Sequence, residues 1–168
     1  MMGPGWGLTA FIGDWRRAVC AVGSRESFAR PLTLVNCSNA EEAVTHGNFV
    51  WNELYTPNVE VAKAFYGATV GWTFEGMPMP HQNRTYWLAK AGDKPVAGIL
   101  DMRGIVPDTD PPHWLSYLEV DDVDQMVAEV QSHGGRIVRA PFDVPNVGRI
   151  AIGADATGAF IAWLTSKR

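Results

Sequence analysis

Two residues of this chain offer the most chemistry, Glu53 and Tyr117. Glu53 lies in Phe49-Val-Trp-Asn-Glu-Leu-Tyr, an alternating, aromatic-rich run of the kind strands use. On a strand Trp51, Glu53 and Tyr55 share one face. A carboxylate turned into an aromatic-lined pocket is partly desolvated, which favours its protonated form. Such a group can act as a general base, or bind a cationic or hydroxylated ligand. The alternative is a structural carboxylate paired with an arginine or a backbone amide. Tyr117 falls in a second such run, Trp114 to Val120, where Leu115, Tyr117 and Glu119 share a face. A hydrogen bond between Tyr117 and Glu53 on a cleft floor would orient a carbonyl or hydroxyl of a ligand. The plainer alternative is a buried tyrosine satisfying its own hydroxyl. The candidate catalytic pair is therefore Glu53 and Tyr117. The candidate ligand-binding residues are Trp51, Tyr55, Trp87, Leu115 and Glu119.

Other chemistries find little support. The sequence has no glycine-rich phosphate loop, no Ser/His/Asp order and no context for a cysteine nucleophile. Asp121-Asp122-Val-Asp124 reads as a helix cap rather than a cation site. His113 follows Pro111-Pro112 and is expected at a rim; His46 and His133 read as loop or helix-end residues. His81, in a loop expected over Met77–Asn83, could reach over the cleft. Trp163 should face away from the cleft, against a helix.

The elements that position these residues come in two rounds. After the first strand, Thr56-Pro57-Asn58 starts a helix, with Asn58 as the cap. Val59, Ala62, Phe65 and Tyr66 recur at helical spacing, and Gly67 and Gly71 should end the helix. Strands are expected from Trp72, over Thr85–Lys90 and over Val96–Met102. Gly104–Pro112 is a linker. The second round runs from Trp114, through a helix on Val123, Met126, Val127 and Val130, to Gly134-Gly135. Strands follow at Arg136–Arg139, Val147–Ile152 and Ala159–Thr165, with Pro141–Asn146 expected as a loop. A single offset of 64 superposes the rounds: Trp51 falls on Leu115, Val59 on Val123, Gly71 on Gly135 and Leu100 on Leu164. The repeat rests on pattern and spacing rather than on identical letters. It predicts an α+β domain of tandem βαβββ units, about 48–103 and 112–166, curling around a cleft.

Bulk properties agree. The 168 residues, 46% hydrophobic and 19% charged, suit one globular domain over 46–168. A net charge of −4 with no basic cluster argues against nucleic acid. No apolar run is long enough to span a membrane. Cys20 and Cys37 make neither a disulfide framework nor a zinc site, as expected of thiols in a cytoplasmic protein. Residues 1–45 show no core pattern and are expected to be a poorly ordered extension.

Tandem βαβββ units of this size resemble the vicinal oxygen chelate superfamily of glyoxalase I, bleomycin-resistance proteins and extradiol dioxygenases. Trp51-Asn-Glu-Leu-x-Thr, Ala64-Phe65-Tyr66 and Gly71-Trp72 look like a glyoxalase-like branch, and Asp155-Ala-Thr-Gly-Ala-Phe resembles its final D-P-x-G turn, with Ala156 for the proline. The resemblance implies a small-molecule ligand and a homodimer. It also implies metal ligands on the first and last strands of each unit, where His, Gln or Glu hold an ion that acts as a Lewis acid. Those four positions are Trp51, Gly98, Leu115 and Ala162, and none has a donor side chain. The expected protein binds a small organic molecule without the usual metal tetrad or another cofactor. The alternative is a lyase or isomerase using Glu53, with a divalent metal bound in an unorthodox way.

Overall fold

The computed structural model describes residues 46–79 and 83–167. The first round forms β1 (Phe49–Thr56), α1 (Val59–Val70), β2 (Thr73–Met79), β3 (Arg84–Ala91) and β4 (Lys94–Asp101). The second forms β5 (His113–Glu119), α2 (Val123–Ser132), β6 (Arg136–Val144), β7 (Gly148–Ala154) and β8 (Phe160–Ser166). The tandem βαβββ organisation is therefore present as the spacing predicts. The expected N-terminal extension, with Cys20 and Cys37, lies outside the described residues, as does His81.

The two units join edge to edge in one eight-stranded sheet of order β2-β3-β4-β1-β5-β8-β7-β6. The seam is the antiparallel pair β1·β5, in which Trp51 opposes Tyr117, Asn52 opposes Ser116 and Glu53 opposes Leu115. Asn52 and Ser116 are also repeat equivalents, 64 residues apart, so the pseudo-twofold axis passes through this pair. Ser116 Oγ donates to Asn52 Oδ1 across it at 2.7 Å.

The sheet curls around the larger of two cores. Its inner face gathers Tyr55, Tyr86, Leu88, Leu100, Tyr117 and Leu164, among others, with Met102 just after β4 and Ile105 of the linker packed in the same core. The outer face carries the helices. Val123, Met126, Val127 and Val130 of α2 pack on Ala151 and Trp163, as the period-2 alternation of β8 predicts. By contrast, α1 buries none of its residues. It leans on an aromatic cluster in which Tyr66 stacks on Trp72, Trp114 meets both edge-on, and Trp114 Nε1 donates to the Tyr66 hydroxyl at 3.1 Å.

Three expectations about element ends are corrected. Gly67 lies inside α1, which ends instead at Gly71 in the left-handed conformation, φ 70°. Strand β2 runs on through Pro78, opposite Thr85, to Met79, where a loop was expected from Met77. Likewise β6 continues through Pro141 to Val144. Both are edge strands of the sheet, so a proline need give up no ladder donor to a second neighbour.

The caps behave as predicted. Asn58 Oδ1 accepts from Val61 N at 3.2 Å, and Asp122 Oδ1 accepts from Asp124 N and Gln125 N. With no buried face, α1 depends on its cap more than α2 does. Asn58→Ala is expected to lower stability by about 1 kcal/mol. Urea unfolding of the two proteins side by side measures this, and an unchanged midpoint would show that the cap does not limit stability.

Candidate functional site

Among the described residues Glu53 is the most deeply placed carboxylate, 1% exposed on the inner face of β1. Tyr117 donates its hydroxyl to Glu53 Oε2 at 2.8 Å, joining two repeat-equivalent positions across the pseudo-twofold axis. The phenols of Tyr55 and Tyr86 also face this carboxylate. Burial raises the Glu53 carboxyl above its ordinary value, and the three phenols only partly offset that. The phenols in turn are held well above their ordinary range, by burial first and then by the Glu53 charge. Tyr86 receives a further hydrogen bond at 3.0 Å from the indole of Trp51. Among the described residues no buried side-chain nitrogen or oxygen lacks a partner, so this cluster is a completed network.

Tyr86 also occupies space that another residue would need. A Cβ added at Gly98 would sit 1.8 Å from the Tyr86 hydroxyl and 2.4 Å from its Cζ. The repeat equivalents on the other side of the axis are smaller or aliphatic: Leu115 for Trp51, Ile150 for Tyr86 and Ala162 for Gly98. The first unit thus fills its inner face with aromatic rings where the second uses aliphatic side chains.

On the second unit's side lies a cavity of about 500 Å3, within the range of ~300–1,000 Å3 that small-molecule sites occupy. Its apolar walls include Val106, Leu115, Val138, Ile152 and Phe160, and the linker contributes Pro107 and Pro111. Its polar groups are Tyr55, Asp110, His113, Arg136 and Arg139. The His113 ring lies parallel to that of Tyr55, 5.3 Å away, and its Nδ1 meets Pro111 O at 2.9 Å. Glu53 is not in the cavity wall. Tyr55, in contact with both, is the link between them.

Arg139 reaches the cavity because β6 is irregular. Ile137 pairs with Gly153 and Arg139 with Ile152, which leaves Val138 as an extra residue in a bulge. Ile137 packs outward under α2. Strict alternation would send Arg139 outward too; the bulge turns it inward beside Val138. There it lies over the Phe142 ring at 3.3 Å, and burial pulls its guanidinium below the usual arginine value.

Of the residues expected at the site, Glu53, Tyr55 and Tyr117 come together in the network, with Trp51 bound to it through Tyr86. Tyr55 and Leu115 line the cavity, as does His113, which had been placed at a rim. Two others lie elsewhere. Trp87 is on the outer face of β3, with Lys63 Nζ of α1 3.3 Å above its ring. Glu119 accepts from Ser166 N at 3.1 Å and Ser166 Oγ at 2.6 Å, fixing the end of β8 to β5. Tyr86, Arg136, Arg139 and Phe160 were missed. Tyr86 was available from alternation in Thr85-Tyr-Trp-Leu, where the larger Trp87 drew attention to the wrong face. Arg139 was not, since Pro141 hid the length of β6.

The glyoxalase/bleomycin resistance protein/dioxygenase superfamily model matches residues 48–162, both units and the seam between them. The chain belongs to this superfamily. CFP32 of Mycobacterium tuberculosis (strain CDC 1551 / Oshkosh), which carries a provisional glyoxylase name, is 38% identical over 120 residues, 70% of this chain and 44% of that protein. The anthracycline biosynthesis protein DnrV of Streptomyces peucetius is 31% identical over 125 residues, 67% of this chain and 45% of that protein. The chain spans under half the length of these relatives. Methylmalonyl-CoA epimerase from Mycobacterium tuberculosis is similar in fold, with a TM-score of 0.50 at 20% identity over 79% of this chain and 95% of that one.

Members of the glyoxalase superfamily that use a metal need four donors converging on one ion. The residues here do not fit such an ion. Trp51, Leu115 and Ala162 offer no oxygen or imidazole donor, and the place of a side chain on Gly98 is filled by Tyr86.

Proposed function

We propose that this glyoxalase-superfamily protein binds a small organic molecule in the cavity beside β5 and β6, without the usual metal tetrad. The observation that carries this is the cavity itself: apolar walls with a few polar groups, Tyr55, His113 and Arg139, converging on one space. The donor-free tetrad positions point the same way, and one relative, DnrV, is named for anthracycline biosynthesis.

The neutral fluorophore 1-aminoanthracene tests the reading. It is expected to bind saturably, one per chain, with a rise in fluorescence. Val138, half-exposed in the cavity wall, offers a block: Val138→Trp is expected to abolish binding while leaving the unfolding midpoint in place. Absence of saturable binding, or binding indifferent to Val138→Trp, would sink the proposal.

A second reading is favoured by one observation, the raised carboxyl of Glu53 one residue-contact behind the cavity. In it the protein is a glyoxalase-like lyase or isomerase with Glu53 as base. Equilibration with Zn2+, Ni2+, Fe2+ or Mn2+ separates the two. One tightly held metal per chain, lost in Glu53→Ala, would overturn the metal-free reading in favour of the enzyme.

A further inference from the structure

We propose that the cavity is built for an organic anion, a flat apolar body bearing a carboxylate that Arg139 and Arg136 clamp. The inference rests on the reading of this cavity as a ligand site and specifies what that site selects.

Charge is the first argument. The chain as a whole is −4, yet the cavity wall holds two arginines against one acid, Asp110. Glu53, the nearest buried carboxyl, stands behind Tyr55 and outside the wall. A cationic enclosure within an acidic protein concentrates field lines on an incoming anion.

Backbone geometry is the second. Arg136 and Val138 face inward by ordinary alternation, and the bulge at Val138 adds Arg139 to the same side. Without that one extra residue Arg139 would lie under α2. It is instead half-buried in the cavity wall, with the phenols of Tyr55 and Tyr117 near its charge. A guanidinium offers a planar fork of donors that matches a carboxylate edge to edge.

The third argument is the shape of the remainder. Arg136 lies over the Phe160 ring, 5.3 Å from its centroid, and Phe160 is 6.3 Å from the His113 ring, which lies parallel to Tyr55. These rings line one side of the cavity, with Val138 and Ile152 also in its wall. Ring faces of this kind take a flat body, while the arginines take its charged end.

The paired probes are anthracene-2-carboxylate and its neutral counterpart anthracene-2-carboxamide, titrated by fluorescence at low ionic strength. The carboxylate is expected to bind about tenfold more tightly or better, since a charge-assisted hydrogen bond replaces a neutral one. Arg136→Gln is expected to shrink that ratio, and Arg136→Gln/Arg139→Gln to bring it below about twofold, with the carboxamide affinity unchanged. Arg139 stacks on Phe142, so Arg139→Lys serves where Arg139→Gln disturbs the strand; it keeps the charge, drops the fork and should lie between. Equal binding of the two probes, or a ratio untouched by Arg136→Gln, overturns the anion assignment and leaves the cavity as a neutral site. Failure of both probes together with 1-aminoanthracene overturns the ligand-site reading itself.

Discussion

Gly98→Ala is expected to be among the most damaging single-methyl additions in this chain. The new Cβ would meet the Tyr86 hydroxyl at 1.8 Å and its Cζ at 2.4 Å. Tyr86 is 2% exposed and tied to Trp51 and Glu53, so it has nowhere to swing. The cost is expected at or above the upper end of the ~1–3 kcal/mol usual for overpacking. Removing the obstacle should reverse much of it. In the double variant Gly98→Ala/Tyr86→Leu the two changes are expected to be less than additive by at least about 1 kcal/mol, as for residues in contact. Strict additivity in urea unfolding would show that Tyr86 does not fill the space. The same geometry explains why a metal ligand cannot be restored at Gly98 by one substitution: any side chain there begins with that Cβ.

Glu53 is the second position of large effect, and its two substitutions should diverge. Glu53→Ala takes the acceptor from Tyr117 and removes the group that Tyr55 and Tyr86 also face, at a position closed off from solvent. A loss of about 3 kcal/mol or more is expected from unsatisfied buried hydroxyls and the cavity left behind. Glu53→Gln keeps an acceptor and the volume, and should cost far less. It should also change the pH profile. Burial raises the folded-state pKa of Glu53 above its ordinary 4.5. Between that value and the raised one, the folded chain holds a proton that the unfolded chain has released. The contribution of Glu53 to stability is therefore fully present below 4.5 and is lost as pH rises through the folded value. Stability of the unaltered protein should fall across that window, and Glu53→Gln should flatten the fall. Parallel slopes for the two proteins from pH 4.5 to 8 would show that Glu53 is not the group responsible.

The sequence was most readable where periodicity and chain punctuation agree. Asn58 and Asp122 mark both helix starts, Gly71 marks a helix end, and the offset of 64 makes Tyr117 the repeat equivalent of Glu53, within reach across the pseudo-twofold axis. Strand alternation put Trp163 under α2. The misreadings have a common cause in edge strands. Pro78 and Pro141 signal a break when only one chain is in view, but a strand with a single neighbour tolerates them. That error shortened β6 and concealed the bulge, and with it the arginine side of the cavity. Trp87 was misplaced for another reason. Residue size says that a tryptophan is covered, but not by which face, and here Lys63 covers it from outside. Tertiary contacts such as Tyr86 over Gly98 leave no local trace at all beyond the glycine itself.

The bond from Tyr117 to Glu53 has one more implication, because it joins the same position of the repeat in its two copies. Were the halves separate and identical, two-fold symmetry would set each such residue against itself. Two glutamates there would be like charges sharing one dry pocket, and two tyrosines would offer two donors with no carboxylate to receive them. Ser116 and Asn52 meet under the same restriction on the axis. Carrying both halves on a single chain lifts it. Each position can then be written differently in its second copy, so that one half supplies the acid and the other the donor. The covalent linker is thus what permits a mismatched pair, an acceptor facing a donor, at the centre of a nearly symmetric sheet.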